Sequence, residues 1–481
     1  MLFKKYPILL LFMAPVFALH AQEKCDCEKN FKWVKETFEK NDAGFAYALE
    51  KKGRKAYESH TAPYLLKVKN IRSRDNCAEV MNEWLGFFRR AHFRVIAQHN
   101  DTARTGDAAV NSANWPVLGL QEEQLRKALA QKQDPGFEGI WTTGPYTIAI
   151  QKQAQGYKGV VLTSTNEAWK PGMVKLEINS DSTGVFYMGN FSANKVSKTN
   201  KTRLVSPNTL KLSNVFLKRT FPVLPETGKH ELYTKMVMSP VPFLERISPK
   251  TLYMYIPSFE GGHKPLIDSL LTASKGLLAQ TENLIIDIRN NGGGNDDSYE
   301  NIIPYLYTNP IRIVGLEFYS TPLNNKRMEE YLAIPGLSEQ NRTEINKALT
   351  TLNNNLGKFV NLNGDRVSIQ KLDTVLPFPK NVAVVINEND GSTSEQFLLA
   401  AKQSKKTKLF GTTTIGVLDI SNMCFVTSPD NQFQLGYCLS KSYRIPDMAI
   451  DGKGIQPDYY LDKTIPDEDW VSHVQQVLEQ L

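Results

Sequence analysis

Ser392 stands where a short apolar segment, Val382-Ala383-Val384-Val385-Ile386, gives way through Asn387-Glu388-Asn389-Asp390-Gly391 to the helix-like run Gln396 to Gln403. A serine at a strand-to-helix junction presents its Oγ beside the unpaired N–H groups of the helix's first turn. Those donors suit the oxyanion that develops when a hydroxyl attacks a carbonyl, which is the chemistry of acyl transfer. The same residues fit a plainer role, because Ser392 with Glu395 three positions later is also the pattern of a helix-capping box. Upstream, the apolar run Leu284 to Ile288 leads through Asn290 and Asn291 into Gly292, Gly293 and Gly294. Glycines carry no Cβ, so this backbone can turn sharply and approach a bound group closely. An ordinary strand-ending loop would look the same.

The elements around these residues alternate. Thr251 to Pro257 is strand-like, Ile267 to Gln280 helical, Leu284 to Ile288 and Val382 to Ile386 are buried strands, and Lys408-Leu409-Phe410 is a further strand after the helix. Strand–helix alternation of this kind predicts an α/β core over residues 250–470. Residues 323–360 are polar and helix-rich, as an insertion would be. Ahead of the core, residues 137–240 carry short strands (Tyr146 to Ile150, Gly159 to Leu162, Val174 to Ile178, Gly184 to Tyr187) divided by Gly, Asn, Asp and Ser, which predicts a small β-barrel-like domain. Its basic run, Lys195 to Arg203, reads as a solvated hairpin tip. Residues 120–135 read as a charged, Gln-rich linker. Residues 22–120 form a helical region, with Phe31, Val34 and Phe38 at helical spacing and a second amphipathic run from Cys77 to Phe88. His92 follows that second helix, where the pattern turns toward a strand; a lone histidine there is commonly structural.

The chain of 481 residues is long enough for two or three domains, and 41% hydrophobic with 22% charged residues is a globular composition. Its formal charge of +7 is small for this length and gives no case for nucleic acid. Lys4 and Lys5 before an apolar run from Pro7 to Leu19 read as a secretory signal over residues 1–21, which predicts export to the periplasm or beyond. That run is too short to span a membrane. Exported cysteines can pair: Cys77 with Cys25 or Cys27, and Cys424 with Cys438 across a hairpin turning at Pro429-Asp430-Asn431. No His/Cys spacing suits a metal, and neither metal nor cofactor is expected.

Four segments taken in order, LIIDIRNNGGG, NVAVVINENDGSTSEQFLLAA, LFGTTTIG and AIDGKGIQPD, resemble the tail-specific protease family of C-terminal-processing serine peptidases. The resemblance covers residues 250 to 462 and implies a crotonase/ClpP-like α/β core with Ser392 as nucleophile. It also implies an oxyanion hole built from the N–H of Thr393 and one from the glycine loop, with Gly293 the first choice. The bacterial processing enzymes activate their serine with a lysine, but Val417 occupies that position here, and no lysine or arginine occurs from Thr412 through Ser440. A Ser–Lys dyad is thereby excluded. The branch typified by the tricorn protease core uses a histidine from the N-terminal region and an acid just before the final motif; carried over, these are His92 and Asp451. His263 is the rival base, and Glu395 and Asp419 are possible supporting acids. Many relatives carry a PDZ domain, for which residues 106–245 offer no carboxylate-binding glycine loop. The expected function is an exported serine endopeptidase acting on polypeptide. The alternative is a catalytically inactive ligand- or peptide-binding protein on the same fold.

Overall fold

The computed structural model describes residues 25–98, 115–196, 201–226, 228–462 and 464–480. The expected leader lies outside these residues, as do residues 197–200 of the basic run. Among the described residues no helix is long and apolar enough to cross a membrane.

The core is a six-stranded sheet in the order Phe243–Arg246, Thr251–Tyr255, Asn283–Asp287, Asn381–Ile386, Thr407–Gly411 and Tyr459–Tyr460. The first pair is antiparallel and all the others are parallel. Alternate residues of one strand face opposite ways, so each central strand supplies two cores. Leu284, Ile286, Val382 and Val384 pack with Ile267 and Leu271 of the helix Lys264–Ala273 and with Phe397 and Leu398 of the helix Thr393–Ala401. Ile285, Ala383 and Val385 pack on the other face with Tyr233, Met236, Trp470 and Val474. Burial on both faces is why these strands read as unbroken apolar runs.

A second sheet is built on the hairpin Ile420–Thr427 and Phe433–Ser442, which turns at residues 428–432. The free edge of its long strand receives Arg94–Ala97, with Arg94 opposite Gly436 and Ala97 opposite Phe433. It also receives Leu316–Tyr319, with Leu316 opposite Ser442. Phe31, Phe38, Trp84 and Phe88 of the N-terminal helices share a core with Phe433, Leu435 and Tyr437 of the hairpin. The N-terminal region is therefore fastened to the C-terminal third of the chain.

The middle region is one nine-stranded antiparallel sheet running from Ala193–Val196 at one edge to Arg203–Ser206 at the other. It curls so that Trp141, Ile148, Leu176, Phe186, Leu210 and Leu217 from distant strands meet in one core. Residues 120–135 differ from the expected linker: Glu122–Ala130 is a helix whose Leu125 and Leu129 pack on Ala149, Val160 and Val174 of this sheet. Two apolar residues four apart suffice to seat one helical face, and the charges around them lie on the solvent side.

Cys27 and Cys77 form a disulfide, while Cys25, Cys424 and Cys438 are free and buried. The hairpin forms where expected, but Cys424 lies opposite Tyr437, and Cys438 lies opposite Met423. A register offset of one residue turns the two thiols to opposite faces of the sheet, which prevents the expected bond. Titration of thiols in denaturant without reductant should accordingly detect the three from Cys25, Cys424 and Cys438. Finding only one would show that a second disulfide joins two of these three cysteines.

Candidate active site

Two parallel strands end side by side and supply the first wall. Asn283–Asp287 runs into the glycine loop, and its neighbour Asn381–Ile386 runs into the turn that carries Ser392. The buried Asp390 carboxylate joins them, accepting from the Asn291 N–H at 3.0 Å and the Asn387 N–H at 2.8 Å. Burial pushes its pKa well above the usual carboxylate range, and the two N–H groups work against that rise. Asn291 extends the join. Its C=O accepts from the Gly391 N–H and from Ser394 Oγ, and its Nδ2 donates to the Ile256 C=O. Thr393 Oγ1 donates to the Gly294 C=O at 2.9 Å.

The approach of these segments leaves no room for side chains. A Cβ on Gly293, at φ +104°, would lie 2.7 Å from the Gly391 oxygen and 2.8 Å from both Ser392 Cβ and the Thr393 nitrogen. Ser392 itself sits at φ 58°, ψ −122°, a region L-residues enter at a cost of about 1–3 kcal/mol and mainly at functional turns. Its side chain makes no capping hydrogen bond. Glu395 is likewise no capping-box partner: its carboxylate accepts from Thr414 Oγ1, the Gly416 N–H and the Val417 N–H, tying the 414–417 turn to the Ser392 helix. The capping alternative therefore does not describe this turn. The Thr393 N–H makes no hydrogen bond among the described residues, whereas the Gly293 N–H donates to Asn291 Oδ1 at 3.0 Å.

The second wall comes from the start of the chain. The pairing of Arg94–Ala97 with the hairpin carries His92 to the beginning of the strand Ile420–Thr427. His92 is at φ 60°, and its Nδ1 lies 2.7 Å from the Ile420 C=O. A carbonyl only accepts, so Nδ1 holds the hydrogen and Nε2 of the neutral ring keeps its lone pair. Burial moves the His92 pKa below its ordinary value of 6.5; the bond to Ile420 opposes this and the nearby Arg89 charge reinforces it. Arg89 also fixes the backbone here. Its guanidinium donates to the His92 C=O at 2.6 Å and forms a two-pronged pair with the buried Asp42 at 2.7 and 2.8 Å.

Ser392, Thr393 and Gly294 line one cavity of about 610 Å³ with His92, Leu418, Gln396 and Arg444. His263 is not among its lining residues; its Nε2 instead faces the Pro240 C=O at 3.1 Å. Asp451 makes no hydrogen bond to His92. Its carboxylate accepts from the successive N–H groups of Leu418, Asp419 and Ile420, so it shapes the segment whose Ile420 C=O holds the imidazole. Asp419 answers it, accepting from the Ile450 and Asp451 N–H groups and from Arg444 Nε at 2.7 Å. Asp42, Arg89, Asp390 and Asn291 were not anticipated. Only the buried setting of Asp390, between an apolar strand and Ser392, could have marked one of them in advance. Among the described residues no group of three or more His, Cys, Asp or Glu side chains is placed to hold a metal ion.

Residues 250–461 match the family model "Peptidase family S41". Among solved structures, mature CPAF complexed with lactacystin is similar over 95% of this chain and 98% of its own, at 14% identity and a TM-score of 0.52, a likeness of fold. A putative peptidase from Parabacteroides merdae covers 94% of this chain and 97% of its own at 12% identity, with a TM-score of 0.43. The photosystem II D1 C-terminal processing protease covers 94% and 97% at 13% identity, with a TM-score of 0.38. No curated protein matches the sequence.

The Arg89–Asp42 pair makes its own prediction. Removing one partner of a buried pair strands the other charge and costs about 3–5 kcal/mol, whereas removing both costs less. Urea titrations should therefore find Arg89→Met more damaging than the double variant Arg89→Met/Asp42→Asn. A double-variant loss equal to the sum of the losses in Arg89→Met and Asp42→Asn would mean that the pair carries no coupling.

Proposed function

We propose that this chain, whose residues 250–461 match peptidase family S41, the tail-specific proteases, is a serine endopeptidase with Ser392 as nucleophile and His92 as general base. The observation that carries this reading is the tautomer of His92: the Ile420 C=O takes the Nδ1 hydrogen, leaving Nε2 with its lone pair on a residue that lines the same cavity as Ser392. In the proposed cycle Nε2 accepts the Ser392 Oγ proton as the oxygen attacks the scissile carbonyl. The Thr393 N–H and a glycine-loop N–H receive the oxyanion. Gly293 remains the proposed glycine donor, which requires its N–H to turn from Asn291 Oδ1 toward the substrate. The imidazolium then protonates the leaving amine, and water, deprotonated in turn by Nε2, releases the acyl group from Ser392.

Asp451 is proposed as the acid of the site, acting through Ile420 rather than by touching the imidazole. Its three backbone hydrogen bonds support that role. Glu395 and Asp419 support the 414–420 segment from either side. Export is proposed with this activity, since a disulfide such as Cys27–Cys77 persists in oxidising compartments.

A fluorophosphonate probe tests the nucleophile and the base together. Labelling is expected on the wild type, absent in Ser392→Ala, and at least a hundredfold slower in His92→Ala. Wild-type protein that is folded yet takes no label would return the chain to a binding role. The pH profile tests His92 separately. Nε2 works only unprotonated and burial lowers its pKa, so the labelling rate should rise with pH through a midpoint below 6.5. The same depressed pKa means that the unfolded state binds the proton more readily, so this group's contribution to stability is lost as pH falls below 6.5. A midpoint above 6.5 would point to another base.

A further inference from the structure

The cavity shared by Ser392 and His92 has a third, charged side. Arg327 and Tyr331 line it from the helix Pro322–Leu332. Arg327 Nε donates to Tyr331 Oη at 2.9 Å, Nη1 donates to the Met423 C=O at 3.0 Å, and the guanidinium lies 4.9 Å from the centre of the Tyr331 ring. These contacts hold the planar head still and use only two of its five N–H donors. Because Tyr331 Oη accepts from Arg327, its own hydrogen is left to donate.

Among the described residues no carboxylate forms an ion pair with Arg327. The cavity's other arginine is different: Arg444 is neutralised through Asp419 at 2.7 Å. The acid on the cavity wall, Asp296, is influenced by Arg444 rather than by Arg327. A guanidinium that is fixed, partly buried and without an anion is suited to receive a planar carboxylate through paired N–H groups.

We propose that Arg327, with the Tyr331 hydroxyl beside it, is a specificity residue that binds a carboxylate of the polypeptide substrate. This deepens the peptidase reading and rests on it. The carboxylate can come from an Asp or Glu side chain or from the substrate's own C-terminus. Either would be drawn in by charge and aligned by the guanidinium plane, placing a peptide bond against the Ser392 wall of the same cavity.

Binding to the Ser392→Ala variant tests this without turnover. The probes are short fluorescein-labelled peptides in matched sets: Glu or Gln at one position in turn, each with a free or an amidated C-terminus. At least tenfold tighter binding of the carboxylate member is expected, falling to less than threefold when Arg327→Gln is added. A preference for Glu over Gln that persists in amidated peptides identifies the side chain; one for free over amidated termini identifies the α-carboxylate. Tyr331→Phe, which keeps the guanidinium, should weaken the same preference and provides a second variant if Arg327→Gln does not fold. Equal affinity within the matched pairs, a preference that neither variant reduces, or no binding by any peptide overturns the assignment. Fluorophosphonate labelling of the wild type reads the peptidase proposal independently, so a labelled enzyme without carboxylate preference refutes this inference alone.

Discussion

A single buried carboxylate, that of Asp390, sets the spacing of the two loops on which the candidate site depends. Adjacent parallel strands end with free N–H groups that nothing in the ladder satisfies, and loops leaving them normally diverge. Asp390 bonds one N–H from each side and so holds both strand ends to a common centre. Burial still dominates, holding the Asp390 pKa well above the usual carboxylate range, and the two N–H groups recover part of that penalty. Asn291 then carries the constraint forward to Gly391 and Ser394. With the loops drawn this close, Gly293 has no room for a Cβ and Ser392 is held in a conformation an isolated serine would rarely adopt.

The opposite wall is held by a different kind of force. Its anchor is the ion pair Arg89–Asp42, which fixes the His92 backbone from behind, while the Ile420 C=O orients the ring in front. Asp451 and Asp419 exchange backbone hydrogen bonds across residues 418–420 and 450–451, so the orienting carbonyl is itself constrained. The imidazole is thus positioned by a peptide group that two acids hold, rather than by an acid in contact with it. That arrangement keeps full negative charge off Nδ1 and agrees with the lowered His92 pKa.

Much of the first wall is legible in the sequence because its parts are local. An apolar run, a glycine cluster and a serine opening a helix each leave a short pattern, and the loss of a lysine at Val417 is visible by inspection. The second wall is less legible because it depends on pairings between distant segments. Nothing around His92 announces that Arg94 will lie opposite Gly436, and without that register His263 stands as a rival to His92. Asp451 shows the same limit: its place near the last motif is readable, but which N–H groups its oxygens reach is decided by the fold. Asp390 and Asn291 resemble ordinary turn residues, since turn chemistry and a buried join use the same short polar side chains. The cysteines fail for a reason of parity, because composition reveals a hairpin but not which strand faces its residues share.

The strand that delivers His92 has a consequence for the life history of the molecule. Residues 94–97 are made early in synthesis and find their partner only when residues 433–436 have been added and the hairpin has closed. Until then the imidazole and the serine belong to separate pieces of an unfinished chain. The two walls of the Ser392 cavity are therefore complete only at this closure, however early in synthesis either wall's own residues are made.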